Sequence, residues 1–235
     1  MQYLGGKSRI AKRIAAHLEA LARPGVLIED RFCGGLSVAA AIKHRPLRVA
    51  DANAALVCTL RAVQDGWVPP ESLSEAEYAV LKATHDPADP LTAFAAIGCS
   101  FGGKWFRGFA RSVGRNHADE ASRGLRKKLA MLLDIEIVCE DYRVREPKPC
   151  DVLYLDPPYK TDERFYTNMP EFDHREFWTT ATRWSSHGVY VRVSEYEAPP
   201  DWIEVENFGC VSQLGRSIGA QRVRIDRLWK HVDGP

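Results

Sequence analysis

The sequence lacks an apolar run of the roughly 20 residues that a membrane-spanning helix needs, and its first residues lack the apolar stretch of a signal peptide. We therefore expect a cytoplasmic protein with no membrane partner. A charge of one sign is also missing, because 32 Lys and Arg residues balance 31 Asp and Glu residues. The overall charge thus indicates no partner by itself.

Metal-binding and phosphate-binding signatures are absent too. The six cysteines are scattered, with no Cys-x-x-Cys pair and no histidine at metal-ligand spacing, so we expect no metal site. They read instead as small apolar residues in a reducing compartment. Neither the G-x-G-x-x-G motif of dinucleotide sites nor the G-x-x-x-x-G-K-S/T loop of nucleotide triphosphatases occurs.

What is present is the alternation of strand and helix patterns that is typical of an open parallel sheet. Strands are predicted at 26–28 and 47–50, with a helix near 53–64 and an earlier helix capped by Ser8. The strand before Asp156 continues the sheet. The segments 203–208 and 223–229, near the end of the sequence, predict a closing antiparallel hairpin. We expect an α/β fold, a mostly parallel sheet with helices on both faces.

The strongest local signal is Asp156-Pro157-Pro158-Tyr159, which follows the apolar run 151–155. Two prolines end the strand sharply, because each locks φ and removes a backbone donor. The segment offers a carboxylate, carbonyl acceptors and a flat aromatic face. That set suits a planar molecule with an exocyclic amino group, such as adenine, cytosine or a glutamine side-chain amide.

A second signal is a glycine turn bracketed by acids at two strand ends. Asp30 precedes Cys33-Gly34-Gly35, and Asp51 ends the next predicted strand, where acids typically meet ribose hydroxyls. Because the phosphate-binding motifs are missing, a nucleoside without phosphates fits this site better. S-adenosylmethionine is such a ligand.

The segment 100–128 is basic, since eight Lys and Arg residues outnumber two acids by six charges (8 − 2 = 6). Its first part also carries aromatic residues and glycines. Lysines and arginines in such a segment meet phosphates, and aromatic side chains wedge into base stacks. We expect it to contact DNA through Lys104, Arg107, Arg111 and Arg115.

In these motifs the chain resembles the Dam-type adenine-N6 DNA methyltransferases, particularly their bacteriophage branch. Four segments carry the resemblance, in the order in which the family has them: 3–7, 30–38, 51–53 and 156–159. The resemblance implies a methyltransferase domain formed by 1–65 and 135–235, with an inserted, mainly helical DNA-recognition region at 66–134. One departure is Arg31, which stands where many members carry proline; if it points into the cofactor pocket, we expect weaker binding.

Transfer of the family's roles assigns two groups of residues. Asp156, Pro157, Pro158 and Tyr159 would hold the target base, and S-adenosylmethionine would be bound by Tyr3, Lys7, Asp30, Phe32, Gly34, Gly35, Asp51 and Asp156. The resemblance therefore implies methyl transfer to adenine N6 in double-stranded DNA, with base flipping. The assignment requires the glycine turn and Asp156 to line one pocket.

Other activities remain open at this point. RNA adenine-N6 methylation, cytosine-N4 methylation of DNA and methylation of protein glutamine use similar motifs, and a nucleic-acid-binding module without catalysis would also retain the basic segment. Asp156 favours adenine, because serine often leads the cytosine motif and asparagine the glutamine motif. The sequence also leaves the choice between a monomer and a weak dimer open.

Overall fold

A computed structural model describes residues 5–160, 169–211 and 225–235. Within these ranges seven strands form one sheet in the order β3-β2-β1-β4-β5-β7-β6. The strands are β1 (Ile28–Asp30), β2 (Leu47–Asp51), β3 (Glu136–Cys139), β4 (Val152–Leu155), β5 (Tyr190–Glu195), β6 (Trp202–Val211) and β7 (Ile225–His231). The first five are parallel, and β7 pairs antiparallel with both β5 and β6. The predicted fold class and the closing hairpin are therefore confirmed.

Six helices accompany the sheet within the described ranges: α1 (Ala11–Leu21), α2 (Ala54–Gln64), α3 (Glu75–Thr84), α4 (Pro90–Ala93), α5 (His117–Leu129) and α6 (His174–Ser186). A single π-helical turn, Phe94–Gly98, continues α4, and 3₁₀ turns lie at Ala39–Ala41 and Phe101–Gly103. Among the described residues no helix is long and apolar enough to cross a membrane.

Alternate side chains of β4 enter two different cores, as the period of two in a strand requires. Val152 and Tyr154 join the larger core, which also holds apolar residues of α1 and α2. Leu153 and Leu155 join a smaller core that contains Phe177 and Trp184 of α6. Helices therefore cover both faces of the sheet, and a strand buried on both sides reads as the continuous apolar run seen in the sequence.

The segment between α2 and β3 is mainly helical, as expected, but it shares its core with the sheet. The cluster that contains Leu56 and Leu60 of α2 also buries Tyr78 of α3, Phe94 of the π-helical turn and Leu125 of α5. The side chain of Ser74 and that of Glu77 form the predicted capping box at the start of α3. This shared core holds the inserted segment against the sheet.

The start of α1 differs from the prediction. The helix begins at Ala11, and its N-cap residue, Ile10, makes no side-chain hydrogen bond. The hydroxyl of Ser8 instead lies 3.0 Å from the hydroxyl of Ser37, in the turn that follows β1. A tertiary hydrogen bond to the turn thus replaces the local cap that the sequence pattern indicated.

Candidate functional site

The carboxyl ends of β1, β2 and β4 meet at one edge of the sheet, and the glycine turn lies between them. The backbone N–H of Arg31 donates to the carbonyl of Tyr154 (3.2 Å), and that of Cys33 donates to the carbonyl of Ala50 (2.9 Å). After β1 the chain forms β2 on one side of β1, and it later forms β4 on the other side of β1. Ligands of open α/β sheets bind at such a reversal point, outside the carboxyl ends of the strands.

The turn itself is compact and buried. Gly34 has a positive φ of 45°, a conformation that costs glycine little. Its N–H donates to Oδ2 of Asp51 at 2.9 Å, while the N–H of Asn53 donates to Oδ1 at 2.9 Å. Two hydrogen bonds therefore fix the carboxylate that the sequence assigned to ribose.

A buried ion pair joins predicted site residues from the first and the last motif. Nζ of Lys7 lies 2.7 Å from Oδ1 of Asp156 and 3.9 Å from Oδ1 of Asp226. The lysine side chain is 4% exposed and that of Asp156 is 17% exposed. A salt bridge taken this far out of water needs a specific arrangement to persist, because removing two charges from water costs several kcal/mol each.

Carboxylates outnumber cations around this pair. The described acids whose charges bear on Lys7 or on one another here are Asp30, Asp51, Asp156, Glu195 and Asp226. Burial raises the pKa of Asp30 well above its ordinary value, and the charges of Asp156 and Asp51 raise it further. Burial likewise raises the pKa of Asp51, against the two N–H donors that lower it. A positively charged ligand would favour the ionised forms of these acids.

Burial raises the pKa of Asp156 to about 6, even though the charge of Lys7 and its hydrogen bond pull it down. Burial alone would lower the pKa of Lys7, but the charges of Asp156 and Asp226 outweigh it, and the pKa is raised. At neutral pH the pair is thus ionised. Because the pKa of Asp156 is close to neutral pH, a bound cation would shift its protonation.

Tyr159 is buried and held from three sides. Its hydroxyl donates to Oδ1 of Asp226 at 3.1 Å, and Nζ of Lys7 lies 4.6 Å from its ring centroid. The ring of Tyr196 meets it edge-on, with 4.5 Å between centroids. Pro157 is also buried, and Pro158 is partly exposed. Stacking of Tyr159 on a base stays a prediction.

Asp226, on β7, was not predicted from the sequence as a site residue. Antiparallel pairing of β7 with β5 places it near Glu195, at the end of β5, and beside the strand end of β4. The closing hairpin was foreseeable from its alternating pattern, but its register was not. Register alone decides which face Asp226 occupies.

Lys128 of α5 connects the inserted segment to the glycine turn. Its Nζ donates to the carbonyl of Gly35 (2.5 Å) and to the hydroxyl of Ser37 (3.0 Å). Burial lowers the pKa of Lys128 to about 8. A displacement of α5 would therefore change the hydrogen bonds that Lys128 makes to the glycine turn.

We call the cluster of Lys7 with Asp30, Asp51, Asp156, Glu195 and Asp226 the acidic site. Arg31 does not enter it. It donates to Oε2 of Glu29 from Nε (3.1 Å) and Nη2 (2.9 Å), and to the carbonyl of Tyr142 at 2.6 Å. Its guanidinium lies over the ring of Trp184, which belongs to the smaller core. The arginine thus ties β1 to the segment before β4 on the opposite face from Asp30.

The predicted DNA-contacting residues Lys104, Arg107, Arg111 and Arg115 lie between the 3₁₀ turn Phe101–Gly103 and α5. Arg111 is paired with Glu75, and Arg115 donates to Glu120 at 2.5 Å. Arg107 is exposed, and Lys104 is partly exposed. Tyr3, the remaining predicted cofactor residue, lies outside the described residues, and Phe32 packs its partly exposed ring against Tyr142 at 5.4 Å between centroids.

Comparison with known proteins gives a distant structural similarity. No family model and no curated protein matches the sequence. Among solved structures the chain is similar to yhhF from Escherichia coli, a protein that is provisionally named as a methyltransferase. The two chains are 9% identical, the match covers 98% of this chain and 97% of that one, and the TM-score is 0.39. At this level the comparison carries no argument about activity.

Proposed function

We propose that the protein is an S-adenosylmethionine-dependent methyltransferase that modifies N6 of adenine in double-stranded DNA. The observation that carries the proposal is the buried pair of Lys7 and Asp156, which joins the first and last motifs of the site at the reversal point of the sheet. The glycine turn and Asp51 adjoin it through Asp30, whose pKa responds to both Asp51 and Asp156.

The residues fit this cofactor. S-adenosylmethionine supplies an electrophilic methyl group on a positively charged sulfonium and also carries an ammonium group. Those positive charges would favour the ionised forms of the described acids near Lys7. Asp51, held by two backbone N–H groups, would accept the ribose hydroxyls, and Gly34 lets the backbone approach the ligand closely.

The adenine amino group is a weak nucleophile because its lone pair delocalises into the ring. The carboxylate of Asp156 and the carbonyl of Pro157 would accept its two N–H bonds and orient the freed lone pair toward the methyl carbon. Positioning and a fixed electrostatic field would then lower the barrier to in-line displacement, in which N6 bonds to the methyl carbon, S-adenosylhomocysteine leaves, and the displaced N–H proton passes to the Asp156 carboxylate. Lys7 keeps Asp156 in its ionised, accepting form.

Methyl transfer from labelled S-adenosylmethionine tests the proposal. Duplex DNA should gain label at adenine N6, identified by nucleoside analysis, while ribosomal RNA and protein in the same assay should not. Asp156→Ala should reduce transfer to duplex DNA by at least about a thousandfold, because it removes a preorganised charged acceptor. Binding of duplex DNA by that variant should remain close to the wild-type value.

Label on RNA, or on cytosine N4, would overturn the substrate assignment and leave methyl transfer standing. Retained turnover in the Asp156→Ala variant would remove the catalytic assignment itself.

A further inference from the structure

A cavity of about 880 Å³ opens beside the acidic site. Residues 52–55 line it where β2 passes into α2, and Met169 and Pro170 line it as well. The remaining lining residues are Lys82, His85 and Pro87, from α3 and the loop that follows it, and Trp105, Phe106, Arg107 and Gly108. We call this cavity the basic groove. It begins one residue after Asp51, so it adjoins the acidic site at the same edge of the sheet.

Two residues of the basic groove are held in a backbone conformation that side chains other than glycine rarely adopt. His85 has a φ of 50° and Phe106 a φ of 43°. Their rings meet edge to face, with 5.1 Å between centroids. At His85 this conformation is an ordinary left-handed C-cap that ends α3, whereas at Phe106 the surrounding structure must enforce it. Here it sets the exposed Arg107 into the wall of the groove.

The two cations of the groove, Lys82 and Arg107, differ from most nearby arginines in their side-chain partners. The described residues offer no hydrogen bond or salt bridge to the side chains of Lys82 and Arg107. By contrast Arg111 pairs with Glu75, Arg115 with Glu120 and Arg123 with Asp119. No aspartate or glutamate is among the described residues that line the groove. Its positive charge is therefore left for a ligand.

Trp105 adds a half-buried aromatic face to the same cavity. Uncompensated cations beside an aromatic ring suit a ligand that combines phosphates with flat bases. The cofactor has the opposite character, because it is cationic at the sulfonium and carries no phosphate. The acidic site and the basic groove thus suit different ligands, although they are neighbours.

We propose that the basic groove holds a DNA nucleotide adjacent to the methylated base, with phosphates at Lys82 and Arg107 and a base against Trp105. This inference rests on the proposed function, since it takes DNA as the substrate. It adds Lys82 and Trp105 to the DNA-contacting residues and separates Arg107 from the internally paired Arg111 and Arg115.

Binding, measured without catalysis, tests the inference. Fluorescence anisotropy of a fluorescein-labelled 24-base-pair duplex of mixed sequence, with S-adenosylhomocysteine present, gives the affinity at several salt concentrations. The double variant Lys82→Ala/Arg107→Ala should bind at least about tenfold more weakly and should lower the slope of log affinity against log salt by about two. Trp105→Ala should weaken binding roughly tenfold without changing that slope.

The double variant Arg126→Ala/Lys127→Ala is the matched control, because it removes the same charge from exposed positions of α5 that do not line the groove. Its salt slope should equal that of the wild type. The affinity of the groove variants for S-adenosylmethionine, measured by calorimetry, should also be unchanged.

Wild-type duplex affinity in the groove variants would overturn the inference, as would loss of their S-adenosylmethionine affinity, which would assign the groove to the cofactor. Tighter binding of an RNA duplex of the same sequence would overturn the DNA assignment. If the groove variants lose duplex binding as expected but the wild-type protein transfers no methyl group, DNA binding in the groove stands, while the proposed function and the place of the groove beside a methylated base both fail.

Discussion

The acidic site and the basic groove share the residues between β2 and α2 yet follow opposite electrostatic designs. In the acidic site charges are buried, and Lys7 contacts carboxylates at 2.7 Å and 3.9 Å. In the basic groove Lys82 and Arg107 are exposed, and the described residues offer their side chains no salt bridge. Buried charges respond to a small ligand of fixed geometry, whereas exposed charges respond to a polyanion and to salt.

The largest expected effect comes from breaking the buried pair. Lys7→Met should destabilise the protein by about 3–5 kcal/mol at pH 7, because buried Asp156 loses its cation beside Asp226 and must either stay ionised without a partner or take up a proton. The loss should shrink at pH 5, where Asp156 takes up a proton. Urea denaturation at the two pH values measures both quantities, and Lys7→Met/Asp156→Asn should recover much of the stability at pH 7. Equal losses at the two pH values would contradict this account.

The acidic site should also give the reaction its pH dependence. Transfer needs ionised Asp156, whose pKa is about 6, so kcat/KM for S-adenosylmethionine should fall tenfold per pH unit below about 6 and level off above it. Asp226→Asn should move the midpoint to lower pH, because the charge of Asp226 raises the pKa of Asp156. A pH profile of both proteins decides the direction, and an upward shift would refute the role of Asp226.

Salt sharpens the contrast between the two regions. Two phosphate contacts in the basic groove should reduce duplex affinity by roughly tenfold between 50 and 200 mM salt, with further contacts adding to this loss. Affinity for S-adenosylmethionine should change by less than about twofold over that range, because its site is buried and screened little. Titrations of both ligands in the same buffers make the comparison, and a similar salt dependence for the two would erase the distinction.

The smallest expected effect lies where the two regions meet. The side chain of Asn53 accepts from the N–H of Leu56 at 3.2 Å and caps α2. Asn53→Ala should cost about 1 kcal/mol of stability, since one helix donor loses its partner. Thermal or urea unfolding would show it, with Ser74→Ala, the cap of α3, as a variant of similar expected cost. A loss above about 3 kcal/mol would mean that Asn53 does more than cap.

Much of this arrangement follows from local sequence. The apolar run of β4 and the two prolines after it define a strand end, and the glycines after β1 define a turn, so the meeting of Asp30, Asp51 and Asp156 at one sheet edge was predictable. The capping box of α3 and the N-cap of α2 were equally local. In each case the signal lies within a few residues, and the geometry of a parallel sheet supplies the rest.

Only the tertiary structure decided how charges pair. Asp226 reaches Tyr159 and Lys7 through the register of an antiparallel strand, and Lys128 reaches the glycine turn through the packing of α5. Arg111 and Arg107 look alike in the sequence, yet the first meets Glu75 and the second faces a groove. Partners 36 or more residues apart leave no local pattern, because their contact depends on how separate elements pack.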